Sequence, residues 1–89
     1  MDKRQQLNAI EKMIRELQDV KNSQESLLKK ITQIEAENIN VGVSLLEKEL
    51  PDIHEQADTS IQRLSQLLDE LQQHRDDFIK KNKLDVVEA

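Results

Sequence analysis

The sequence predicts an all-α, antiparallel two-helix hairpin of coiled-coil character with its turn near Gly42. Three observations carry that expectation. Two long rows of apolar residues recur at alternating three- and four-residue steps, the spacing that keeps side chains on one face of a helix. The single glycine falls between those rows. The composition, with 1 Gly, 1 Pro, 1% aromatic residues and abundant Leu, Gln, Glu and Lys, favours long helices, because these straight side chains lose little rotamer freedom there.

Asp2 followed by Gln5 forms a capping-box pattern and predicts a helix starting at about residue 3. Its apolar row runs through Ile10, Met13, Leu17, Val20, Gln24, Leu27, Ile31, Ile34, Asn38 and Val41, eight of the ten being apolar. Random placement would give about four. Asn38, Asn40 and Gly42 tolerate the left-handed backbone of a helix end, and Ser44 followed by Glu47 offers a second capping box. The first helix is therefore expected over residues 3–39, the turn over 40–43 and the second helix over 44–82. The second row passes through Leu46, Leu50, Ile53, Ala57, Ile61, Leu64, Leu68, Leu71, Arg75 and Phe78. Pro51 lacks an amide hydrogen and predicts a kink or a break at 50–51, while the consecutive four-residue steps Ile53, Ala57, Ile61 predict a stutter. Lys80, Lys81 and Lys83 complement the negative helix end, and Asn82 is an acceptable C-cap. The hairpin thus spans 1–83, and residues 84–89, with two adjacent valines, read as a flexible tail.

Folding back at Gly42 pairs Ile34 with Leu50, Ile31 with Ile53, Leu27 with Ala57, Val20 with Leu64, Leu17 with Leu68 and Met13 with Leu71. Ile31, Ile34, Leu50, Ile53, Leu64, Leu68 and Leu71 are expected to hold the hairpin together. Among the polar seam residues, Gln24 faces Ile61, Asn38 belongs to the turn, and Arg75 sits near the open end. A rod that opens and pairs with a second copy by domain swapping satisfies the same pattern.

A second stripe, Leu7, Ile14 and Leu28, repeats at multiples of seven and is interrupted by Lys21; Leu45 and Leu67 flank the other row. A two-helix hairpin offers these five no third element, so they are the predicted partner contacts. A packed core smaller than about 70–80 residues without disulfide or metal is marginal alone. Association into a homodimeric four-helix bundle or with unlike helical subunits is the expected remedy. Charge is segregated too: residues 35–58 hold seven acids against the single base Lys48, whereas Lys3, Arg4, Lys12, Arg15, Arg75, Lys80, Lys81 and Lys83 lie at the opposite end. An acidic tip suits a basic partner.

Chemistry-bearing groups are few. The absence of cysteine removes disulfides, thiol nucleophiles and Cys-ligated metals. His54 and His74 fall at different heights of the hairpin, with His54 expected near residue 30 and solvated, and the Glu-x-x-His pattern of di-iron bundles is missing, since Pro51 and Leu71 precede the histidines. None of the serines has a neighbouring His and acid at helical spacing, and one glycine makes no phosphate-cradling loop. The expectation is no enzyme, no cofactor and no metal. A net charge of −5 opposes nucleic acid and anionic lipid, and the Lys80–Lys83 patch lacks stacking aromatics. No apolar segment suits a signal peptide or membrane insertion, so a cytoplasmic location is expected, with signal-peptide-independent export as the alternative.

These features read as a non-enzymatic interaction protein, a subunit or adaptor acting through an apolar helix face. In size and layout the chain also resembles the small hairpin proteins of type VII secretion, which carry Trp-x-Gly in the turn. Gly42 matches, Asn40 stands in place of the tryptophan, and no Tyr is present for that family's C-terminal export signal. It is similar in style to the acidic coiled-coil chaperones of type III secretion as well. Both resemblances imply an alternative role in export, as a chaperone or as a small secreted hairpin.

Overall fold

The computed structural model describes residues 1–85. Two helices, α1 (Lys3–Val41) and α2 (Ser44–Lys81), pack antiparallel in a rod of 68 × 20 × 15 Å. The arms are long because nothing interrupts them: α1 contains neither Gly nor Pro, and its first free amides are satisfied by the Asp2–Gln5 capping box, with Gln5 N donating to Asp2 Oδ1 at 2.8 Å and Asp2 N donating to Gln5 Oε1 at 3.0 Å.

The turn is tighter than the four residues expected. Helix α1 continues to Val41, Gly42 takes the left-handed conformation (φ 72°, ψ 37°), and its amide donates to the Asn38 carbonyl at 2.7 Å. Val43 then opens α2 directly. The capping box expected of Ser44 and Glu47 does not form: Val43 is the N-cap and has no side-chain cap of its own. Asn38, on the other helix, instead holds Val43 itself. Its Nδ2 donates to the Val43 carbonyl (3.1 Å) and its Oδ1 accepts from the Val43 amide (2.8 Å), so one carboxamide clamps both polar groups of the residue joining the arms. Asn38 is only 5% exposed, and this clamp satisfies it.

Helix α2 does not break at 50–51; it is continuous through Pro51. Pro51 lies in the third turn, where its missing amide forfeits one helical hydrogen bond. At the open end Lys83 is left-handed (φ 53°), its amide donates to the Lys80 carbonyl, and the Leu84 amide donates to the Ile79 carbonyl. This is a Schellman closure, which satisfies carbonyls that the helix end leaves free. Leu84, the first residue of the expected tail, is thus tied to the end of α2 by its amide, and Val86 to Ala89 lie outside the described residues.

The inter-helix seam keeps the expected register but not the expected face of α1. Its α1 positions are Leu7, Ile10, Ile14, Leu17, Lys21, Gln24, Leu28, Ile31, Glu35 and Asn38, all buried or half-buried. On α2 the seam runs through Leu46, Leu50, His54, Ala57, Ile61, Leu64, Leu68, Leu71, Arg75 and Phe78. Lys3 over the Phe78 ring, 5.8 Å from its centroid, marks the far end of the register. Met13, Val20, Leu27 and Ile34, expected inside, are 42% to 48% exposed, and Ile53 is exposed because His54 takes its place. The reason is geometric. The apolar arc of α1 is three heptad rows wide, and one neighbouring helix covers two of them. Helix α2 covers the Leu7 and Ile10 rows and leaves the Met13 row outside. The stutter moves as well, to the four-residue steps Leu46, Leu50, His54 that bracket Pro51.

A candidate interaction face

The five predicted partner residues fall in three different environments. Leu7 and Ile14, each 8% exposed, are packed against α2. Leu28 is half-buried against the cluster of Ile31, Leu50 and Ala57. The expectation that these three lack a neighbour is thus corrected: α2 is that neighbour, because the seam includes their row. Leu45 (65% exposed) and Leu67 (45%) do lie on the surface.

The apolar surface that α2 leaves uncovered is a row on α1 at strict seven-residue spacing, Met13, Val20, Leu27, Ile34 and Val41, every member exposed. Antiparallel folding places residues one step before a seam position on the same side of both arms. On α2 those residues are Ile53, Ser60 and Leu67, with His74 toward the open end. Met13, Val20, Leu27 and Ile34 stand beside Leu67, Ser60 and Ile53, and together they form one continuous apolar face along most of the rod. The reverse side carries Glu11, Gln18, Glu25 and Thr32 from α1 and Asp58, Ser65 and Gln72 from α2, and becomes apolar only at Ile39 near the tip and Ile79 near the open end. The hairpin is therefore amphipathic as a whole: one broad side apolar, the other polar.

The apolar side has a charged border. Four residues before members of the two rows come the charged side chains Glu16, Lys30 and Glu37 on α1, and Glu49, Arg63 and Glu70 on α2, all exposed, with Ala9, Ser23 and Gln56 at the remaining places. Acids outnumber bases there four to two. Along the outer flank of α2, a shallow open depression is floored by Leu64 and Leu67 and edged by Asp52, Glu55, Arg63 and Glu70.

One polar pair was not legible in the sequence. His54 Nδ1 and Glu35 Oε1 lie 2.6 Å apart inside the seam, the imidazole N–H donating to the carboxylate, with both side chains about one-third exposed (40% and 32%). The expectation of a solvated His54 near residue 30 is corrected. Once His54 replaces Ile53 on the inner face, it reaches one helical turn further toward the tip. No spacing rule within a single helix points to a pair nineteen residues apart across a turn. Among the described residues no group of three or more His, Cys, Asp or Glu is placed to hold a metal ion, and no helix is long and apolar enough to cross a membrane.

A small all-α hairpin with one broad apolar side has the architecture of a protein–protein interaction module. No family model matches this sequence, and neither a curated protein nor a solved structure is detectably similar to it.

Proposed function

We propose that this chain is a non-enzymatic assembly subunit or adaptor that joins a larger helical bundle through the face formed by Met13, Val20, Leu27, Ile34, Ile53 and Leu67. The observation that carries this reading is the strict heptad row on α1, wholly apolar and uncovered by the chain's own second helix. Solvated aliphatic side chains scattered singly are ordinary, but a contiguous row of five together with two more from the adjacent helix marks an interaction surface. Burying each of these side chains contributes on the order of 1 kcal/mol or more, since each still has roughly half its area to lose. Leu45 and Val41 extend the same surface to the tip.

Light scattering coupled to size exclusion over a concentration series, with helicity measured by circular dichroism on the same samples, tests the reading. A defined oligomer supports it. So does a weakly helical monomer, since a hairpin that needs its partner will be incompletely folded without one. A fully helical monomer that neither self-associates nor binds any helical partner overturns it.

A further inference from the structure

The assembly reading leaves open what lies on the apolar face, and the border of that face answers the question. Two copies stacked apolar side to apolar side have two symmetric arrangements. With tips together, Glu37 of one copy comes level with Glu49 of the other, and Glu16 with Glu70. In the tip-to-base arrangement that best matches the apolar rows, centred on Leu27 and Ser60, Glu37 comes level with Glu16 of the second copy and Glu49 with Glu70. Both arrangements line the joint with carboxylates against carboxylates, and like charges at an interface are disfavoured. An unlike partner with the opposite border charge meets no such repulsion.

We infer that the face receives an amphipathic α-helix from a different protein, one whose apolar stripe is flanked by lysine or arginine, completing a three-helix bundle. The inference rests on the assembly reading above. The incoming helix lies along the shallow furrow between the Met13–Val41 row and the Ile53–Leu67 row, and Ser60, between two larger neighbours, leaves room for one of its bulky side chains. Its basic flank on the α1 side meets Glu16 and Glu37; the other meets Glu49 and Glu70. The depression on the outer flank of α2 continues this face and its border, sharing Leu67, Arg63 and Glu70 with them. Its leucine floor takes the aliphatic stem of a long basic side chain, and the three acids at its edge, Asp52, Glu55 and Glu70, outnumber the one base, Arg63, and take the charged head. From Met13 to Val41 the row is roughly 42 Å long at 1.5 Å per residue, so an occupant of about 28 residues covers it.

The test uses the full chain and two synthetic 28-residue helical peptides that share one leucine stripe, one flanked by lysine and the other by glutamate. Binding is followed by fluorescence anisotropy at two salt concentrations. The expected result is that the lysine peptide binds at least tenfold more tightly than the glutamate peptide, and that its affinity falls as salt rises. It should weaken at least tenfold in Leu27→Asp, which leaves the seam intact, and severalfold in the double substitution Glu37→Lys with Glu49→Lys. An Asp58→Lys variant on the reverse side, retaining full affinity, separates this from general attraction to an acidic protein. Equal binding of the two peptides, or lysine-peptide binding that survives Leu27→Asp, overturns the inference. A concentration-independent dimer of the chain that excludes both peptides overturns it while leaving the assembly reading standing. A fully helical monomer that binds neither peptide overturns the inference as well.

Discussion

The two sides of α1 differ in a way opposite to what a self-sufficient hairpin needs. Four of the ten α1 positions turned toward α2 are polar, Lys21, Gln24, Glu35 and Asn38, whereas the outward heptad row from Met13 to Val41 is apolar throughout. The inner side trades apolar area for register: Asn38 clamps Val43, and Glu35 engages His54, and both bonds can form only in one alignment of the arms. The outer row carries no such alignment device, and area is what it offers. The hairpin is thus shaped by its inner polar groups, and the surface it presents is a continuous strip for another helix to cover.

Truncation separates the two sides most sharply. Leu68, 3% exposed, lies in the middle of the seam, and Leu68→Ala is expected to destabilise the chain by about 2–4 kcal/mol through lost burial and a residual cavity. Leu27→Ala, at 47% exposure, is expected to cost less than about 1 kcal/mol in the isolated chain while weakening association. Urea titration at two protein concentrations distinguishes them. Comparable losses of stability from both at high dilution would erase the distinction between the sides.

That distinction is also where reading the sequence stopped short. The hairpin, its pivot at Gly42, the Asp2–Gln5 cap and the register of the arms were all legible, because caps and periodicity are local properties and the register follows from the position of the turn. The face of α1 was not. Three adjacent rows are apolar enough to serve, and periodicity ranks rows by hydrophobicity, so it placed Met13, Val20, Leu27 and Ile34 inside and left Leu7, Ile14 and Leu28 for a partner. The chain reverses that choice. Likewise Ile53 outranks His54 on hydrophobicity alone, and the gain from pairing His54 with a carboxylate on the other arm is invisible until the arms are set side by side.

The clamp at the tip is the next largest effect. Asn38→Ala removes the acceptor of the Val43 amide, while the Val43 carbonyl keeps the Leu46 and Glu47 amides as donors, and a loss of about 1–2 kcal/mol is expected, read as a lower unfolding midpoint. Asn38→Asp retains the acceptor for the Val43 amide and loses the donor, so its midpoint should fall between those of the parent and the alanine variant. Gly42→Ala tests the backbone alone. A Cβ at Gly42 meets no atom within 4 Å, so the cost is conformational, about 1–2 kcal/mol for a left-handed residue bearing a side chain. No change in stability would mean that the turn can rearrange.

The smallest effect decides which residue of α2 faces inward. A double-mutant cycle on Glu35→Ala and His54→Ala should give a coupling of a few tenths to about 1 kcal/mol, the range expected for a pair partly open to water. The size matters less than its presence. If Ile53 occupied the seam instead, His54 would turn about 100° away around the helix and its coupling to Glu35 would vanish, while Ile53→Ala would then cost as much as a core truncation. With His54 inward, Ile53→Ala leaves the isolated chain nearly unchanged, and its effect appears only when the outer face is covered. The pair therefore fixes the rotation of α2, and with it which of its apolar side chains join Met13, Val20, Leu27 and Ile34 on the face offered to a partner.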